Sequence, residues 1–284
     1  MSAGTLFLVA TPIGNLEDVT IRALRVLREA DLIAAEDTRR TAKLLVRYGI
    51  STPTLSFHAH NTRSRLPQLT RRLKEGACVA LVSDAGTPGI SDPGVELVRE
   101  CIEQHILVEP VPGPSAPLAA AVVSGFSLNP LTILGFVPVR SKDKMSFFQL
   151  VSSLPGTIVF FEAPHRIKST IMSFSRFNLA DRTISVAREL TKVHSEIIRG
   201  SAQEVLERLG AQKGEFTVVI GPKIHQPGPS QLEHGLLLAA NEFGQVTKCS
   251  GVSRREAISR LAKKHRVPTK LVYSEIENRK KCPK

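Results

Sequence analysis

TLFLVATPIGNLEDVTIRALRVLREADLIAA, residues 5–35, holds the first statement of the pattern that sets the fold. Its two ends, 5–10 and 32–35, are short apolar runs of the kind that form buried strands. Between them, residues 19–29 put Ile21, Leu24 and Leu27, with Val26, on one helical face and arginines on the other. The alternation continues with strands expected over 54–57, 78–83 and 106–111 and helices over 41–48, 65–75 and 95–104. Strict strand, helix, strand order predicts a mostly parallel sheet covered by helices on both faces.

A second set of strands is expected over 131–136, 157–161, 183–187, 196–199 and 215–220, with helices over 142–153, 165–174 and 202–209. The segment 221–230, with three prolines and two glycines, reads as a linker to a last stretch of helical pattern. The fold class is therefore α/β: an N-terminal lobe over 1–118, a second α/β lobe over 119–224, a cleft between them, and a small helical basic segment over 231–284.

With 284 residues the chain can bury about three quarters of its unfolded surface without disulfides or metals. Its 42% hydrophobic and 23% charged composition excludes disorder and collagen-like repeats, and no apolar run reaches the roughly 20 residues that span a bilayer. The first residues lack a basic stretch before Pro12 and Gly14 interrupt the apolar run, so a cytoplasmic location is expected. Cys78, Cys101, Cys249 and Cys282 form no CxxC pair, which points to reduced thiols and no metal. A net charge of +12 predicts a polyanionic partner, and the excess is uneven. Residues 254–284 carry 11 Lys and Arg against three Glu, with Lys263, Lys264, Arg266, Arg279, Lys280 and Lys281 in clusters suited to phosphate contacts or simply to a solvated end.

In open parallel sheets ligands bind beyond the carboxyl ends of the strands, so the loops there come first. Five are distinctive: Thr11-Pro12-Ile13-Gly14-Asn15; Glu36-Asp37-Thr38-Arg39-Arg40; the run from Asp84 to Gly94; Pro112-Gly113-Pro114-Ser115-Ala116; and Glu162-Ala163-Pro164-His165-Arg166. The Asp84 loop combines glycines, prolines and aspartates in a way that lets a rigid backbone approach a small ligand, while Asp92 before Pro93 reads as a helix cap. No GxGxxG and no P-loop is present. Ser115 fits both a helix cap and a ligand contact. Glu36 and Asp37 could serve as general bases, but Asp37 or Thr38 is better read as the cap of the next helix, and Glu36 with Arg39 fits a substrate-binding ion pair as readily as a catalytic one. His58 and His60 lack a third partner and read as hydrogen-bonded surface histidines. Arg188-Glu189-Leu190-Thr191-Lys192 concentrates charge at a strand end, where exposure or binding explains it.

Taken together and in this order, Val9 to Leu16, Ala35 to Arg39, Ser83 to Gly94, Pro112 to Ala116, Glu162 to Arg166 and Ala187 to Lys192 resemble the ribosomal RNA small subunit methyltransferase I family. That family is a branch of the tetrapyrrole-methylase-like, class III S-adenosylmethionine-dependent methyltransferases. The resemblance implies two lobes of the tetrapyrrole methylase type, a homodimer, and 2'-O-methylation of a cytidine ribose in the decoding region of 16S ribosomal RNA within the small ribosomal subunit.

It further implies that S-adenosylmethionine is held by Ser83, Asp84, Ala85, Gly86 and Thr87, by Ser115 and Ala116, and by Phe161 and Ala187. Thr11, Pro12 and Asn15, with Arg39, would face the acceptor, and Arg166, Arg188 and Lys192 would orient it or hold phosphates. Glu36, Asp37 and Glu162 are the candidate bases. Two other readings remain: a small-molecule methyltransferase acting on a tetrapyrrole, and a non-catalytic RNA-binding assembly factor. Pro12 and Asn15, in place of the glycines and acid of the tetrapyrrole branch, weigh against the first. The five strand-end loops weigh against the second.

Overall fold

The computed structural model describes residues 4–89, 94–210, 213–223, 229–249, 252–265 and 267–281. Asp92, Arg266, Cys282 and most of the expected linker lie outside the described residues, as do the side chains of Cys249, Lys280 and Lys281. The chain divides into two compact units, Met1–Lys223 and Ile224–Lys284.

The first unit opens with five strands, β1 (Thr5–Val9), β2 (Leu32–Ala35), β3 (Thr54–Ser56), β4 (Val79–Val82) and β5 (Leu107–Val111), and four helices, α1 (Ile21–Glu29), α2 (Thr38–Arg47), α3 (Thr62–Lys74) and α4 (Val95–Glu103). These five strands form one sheet whose pairs are all parallel, in the order β3-β2-β4-β1-β5. β2 and β4, LIAA and VALV, are buried along their whole length because helices cover both faces. Val26 and Leu27 of α1 and Leu44 and Leu45 of α2 pack on one face, and Leu69 and Leu73 of α3 and Leu97 and Cys101 of α4 on the other. Helix α2 begins three residues before the expected start, since Asp37 accepts a hydrogen bond from the Arg39 N–H and fixes the first turn. Helix α4 begins at Val95, with Gly94 at the cap position expected for Asp92.

Helix α5 (Ala116–Ser124) leads to a second sheet of β6 (Leu131–Phe136), β7 (Thr157–Glu162), β8 (Ile184–Arg188), β9 (Glu196–Gly200) and β10 (Phe216–Ile220), in the order β6-β7-β10-β8-β9. Only β6 and β7 run parallel. Along β10, Phe216, Val218 and Ile220 face a core shared with Phe148 of α6 (Ser141–Ser153), Ile171 of α7 (Ile167–Met172) and Val205 of α8 (Ala202–Arg208). Val219 faces the opposite way, onto Ala120 and Ala121 of α5, whose small side chains let the helix lie close on the sheet. The helix expected over 165–174 is the short α7 followed by a 3₁₀ turn over Ser173–Phe177. Phe148 is ringed by Phe147, Phe160, Phe174 and Phe177 at centroid distances of 5.2–6.2 Å. Each such buried side chain contributes about 2 kcal/mol of transfer free energy.

Arg182, missed by the sequence reading, is buried with no carboxylate partner among the described residues. Its guanidinium donates to the carbonyls of Gly221, Val151, Leu154 and Gly156, closing the end of β10 against the α6–β7 turn. The second unit contains α9 (Pro229–Cys249), α10 (Arg254–Lys264) and α11 (Thr269–Lys281) around Ala239, Ile258, Leu261, Val272 and Ile276. No helix among the described residues is long and apolar enough to cross a membrane.

Candidate active site

Connections leave β1 and β4 toward opposite edges of the first sheet, so their carboxyl ends flank the switch point of the strand order. The two loops are fastened there. Thr11 and Gly86 exchange backbone hydrogen bonds of 2.8 and 2.9 Å, and the Thr11 hydroxyl donates to the Ser83 carbonyl at 3.2 Å. Gly86 has φ +83°, a left-handed conformation that a side chain would strain. The Thr87 hydroxyl donates to the Pro114 carbonyl at 3.3 Å and ties in the loop after β5.

Above these loops lies a cavity of about 360 Å³, within the range of small-molecule sites. Asp84, Ala85, Gly86, Thr87, Ser115, Ala116, Phe161 and Glu162 all line it. Ser83 does not: its side chain is buried and turned to the Ala85 carbonyl. Ala187 also falls behind the wall, packed against α5. Ser115 stands at the cap position of α5 but makes no capping hydrogen bond, and its buried Oγ has no protein partner. A buried hydroxyl left over in this way is costly unless something else bonds to it. The rest of the wall includes Ile13, Phe136 and Leu190, with the Phe136 ring 5.0 Å from that of Phe161.

Asp84 is held on several sides. Its Oδ1 accepts from the Asp37 N–H at 3.0 Å, its Oδ2 pairs with Arg40 at 3.1 Å, and its own N–H donates to Glu36 Oε2 at 3.2 Å. The three candidate bases then separate. Burial pushes the Glu36 carboxyl above its ordinary value of 4.5; the charge of Asp84 adds to this, and the Asp84 N–H, Arg40 and His58 only partly offset it. Asp37 is held down to about 2 by hydrogen bonds from the Arg39 side chain and backbone. Glu162 is buried with both oxygens engaged: Oε1 meets Arg166 at 2.6 Å and the Ala163 N–H at 2.7 Å, and Oε2 accepts from Thr170 at 2.6 Å. Those contacts make it an anchor for the β7–α7 turn.

Several expected acceptor contacts are committed elsewhere. The Arg39 side chain is 88% exposed and grips Asp37; Arg40, one residue on, is the arginine at the cavity. Arg166 donates to the Val137 and Pro138 carbonyls besides meeting Glu162. Arg188 pairs across the strands with Glu196 at 3.2 Å. Lys192 bridges Glu189 and Glu215 at 2.8 and 3.1 Å. Pro12 is buried, and Asn15 accepts from the Glu17 N–H while its own N–H donates to Thr191. His58 is half-buried with Nδ1 unpartnered, so it is not the hydrogen-bonded surface histidine expected. Its ring lies 5.9 Å from that of His60, and no group of three ligating side chains forms among the described residues.

The structure adds residues that the sequence reading did not choose: Ile13, Arg40, Pro117, Phe136, Leu190 and Glu215. Leu190 sits between Glu189 and Thr191, both with positive φ, in a loop that packs on Gly14. A β-carbon on Gly14 would come within 2.6 Å of Thr191 and Lys192 and 2.7 Å of the Leu190 carbonyl. The Gly14 and Asn15 backbone is thus one place where the first lobe touches the second.

A family model for tetrapyrrole (corrin/porphyrin) methylases matches residues 5–206. The ribosomal RNA small subunit methyltransferase I of Synechocystis sp. is 41% identical over 272 residues, covering 95% of this chain and 96% of that protein. The chain belongs to this family. Its namesake in Thermotoga maritima is 48% identical over 222 residues, 78% of this chain and 99% of that protein, so this family member is about as long as the first unit alone. The fold is shared with the uroporphyrin-III C-methyltransferase of Thermus thermophilus, solved with S-adenyl homocysteine, at a TM-score of 0.55 and 18% identity over 77% of this chain and 97% of that one.

Proposed function

We propose that the enzyme is an S-adenosylmethionine-dependent ribosomal RNA methyltransferase that methylates the 2'-hydroxyl of a cytidine ribose in 16S RNA, within the small ribosomal subunit. The observation that carries this reading is the 41% identity over nearly the whole chain with a ribosomal RNA small subunit methyltransferase I. The cavity agrees chemically with the donor. Its apolar walls at Phe136, Phe161 and Ile13 suit an adenine ring, and Asp84 and the unpartnered Ser115 Oγ suit the polar groups of the ribose and the methionyl part.

S-adenosylmethionine supplies a methyl group on a positively charged sulfur. The protein's part is to bind donor and acceptor in line and to take up the hydroxyl proton. Glu36 suits the second task. Its Oε2 is held by the Asp84 N–H, its Oε1 has no protein partner among the described residues, and its raised pKa strengthens it as a base. Arg40 beside Asp84 would steady the acceptor phosphate. The enzyme would work in the cytoplasm as a homodimer, for which the exposed Leu118, Val122 and Val123 of α5 offer an apolar face.

The test is to incubate the protein with methyl-labelled S-adenosylmethionine and small subunits from cells lacking this methylation, then map the label by nuclease digestion and mass spectrometry. Label on a cytidine ribose is expected. Label on a base, or no transfer while the donor still binds, would overturn the assignment.

A further inference from the structure

From Thr38 to Lys74 the chain carries nine Lys and Arg and not one Asp or Glu, where its average of 26 carboxylates in 284 residues would place about three. This segment is α2, β3 and α3. Strand β3 is the outer strand of the first sheet, with α2 on one face and α3 on the other, so the cations wrap around a sheet edge. Outside this segment and the basic residues 254–284, the chain is net acidic.

The parallel pairing of Ala35 with Ser56 brings the starts of α2 and α3 to the same end of the sheet as the cavity. Arg39, Arg40, Lys43, His60 and Arg63 are all exposed there. Arg40 continues the series into the cavity wall through Asp84. Lys43 and Arg63 have no carboxylate within 4 Å among the described residues.

Folding accounts for only part of this arrangement: Arg47, Arg71, Arg72 and Lys74 lie in the last turns of α2 and α3, where the helix dipole favours positive charge, but the cations at the cavity end do not. Both helices carry arginines and no acid in the first turn, where the helix dipole disfavours positive charge. Nor are the cations guards against edge-to-edge pairing, because β3 itself, Thr54–Ser56, is uncharged. In the C-terminal helices Arg254, Arg260, Lys264 and Arg279 pair with Glu277, Glu256, Glu242 and Glu275 of those same helices, whereas Arg39, Arg40 and Arg71 around β3 meet Asp37, Asp84 and Glu75, acids that all lie outside the 38–74 segment.

We propose that the acid-free surface around β3 is the principal docking track for the RNA phosphate backbone and leads the acceptor nucleotide past Arg40 into the cavity. This rests on the RNA methyltransferase reading above and names the surface that serves it. Phosphates along a strand are met by cations spaced along a surface, and each contact made releases counterions.

The experiment measures binding of the full-length protein to small ribosomal subunits over a range of salt. Lys43→Glu combined with Arg63→Glu should weaken binding roughly tenfold or more and lower the slope of log affinity against log salt by about 1.5. Donor affinity should not change, and thermal stability should hold or rise, since an acid in the first turn of α3 suits the helix dipole. Lys43→Gln with Arg63→Gln gives the same reading in milder form should the reversal perturb folding. Lys263→Glu with Lys270→Glu is the comparison in the C-terminal helices. Unchanged affinity and slope in the first pair, or a loss confined to the second pair, would overturn the proposal. Wild-type protein that binds donor but no subunit at any salt would instead remove RNA as the substrate, and this surface's role with it.

Discussion

At the scale of single residues, three carboxylates that look interchangeable in sequence have become chemically distinct. Burial raises Glu36 above 4.5, whereas Asp37 is held near 2 and Glu162 is saturated by Arg166, Thr170 and a backbone N–H. Glu36→Gln keeps an acceptor for the Asp84 N–H but removes the base proposed above. It should lower turnover by about 10²-fold or more with donor affinity nearly unchanged. The base works ionised, so the wild-type rate should climb as pH rises through a value above 4.5, and the Gln variant should lose that limb of the profile. Glu162→Ala acts on the fold: it strands Arg166 in a largely buried site and should cost about 3 kcal/mol in denaturant unfolding. The sequence placed acids and arginines at the strand ends around the cavity but could not rank them. Arg39 and Arg40 differ by about 100° around a helix. Which of them faces the cavity follows from Asp37 capping α2, and the sequence reading left that cap open between Asp37 and Thr38.

At the scale of elements, the strand and helix positions of both lobes were legible from periodicity, because buried strands and amphipathic helices leave different spacings of apolar residues. The direction of the second sheet's strands was not read, although β8 and β9 lie only seven residues apart, too few for a parallel crossover. The loop contact between lobes had no local signal either, since Gly14 touches residues more than 170 positions away. That contact governs the cavity wall through Leu190. Gly14→Ala should therefore push the 189–192 loop outward, weaken donor binding in calorimetry, and lower stability by about 1–3 kcal/mol. Unaltered donor affinity would separate this loop from the site.

At the scale of the molecule, the first unit is closed on itself where the second begins. Arg182 seals Gly221, the Lys223 N–H donates to the Pro155 carbonyl, and the Thermotoga maritima relative is about as long as this unit. A chain ending at Lys223 should fold cooperatively and bind the donor with the affinity of the full protein, as thermal unfolding and calorimetry would report. Loss of folding on truncation would make the helical unit part of the core. Within the first unit, Asp84 is gripped from three sides by Glu36, Asp37 and Arg40. Its rotamer freedom is given up when the chain folds, so an arriving ligand meets a rigid partner and bears little further ordering entropy. If Asp84 contacts the donor as proposed, changes at this fixed group are expected to alter how long a donor stays more than how fast it arrives, which stopped-flow binding would report.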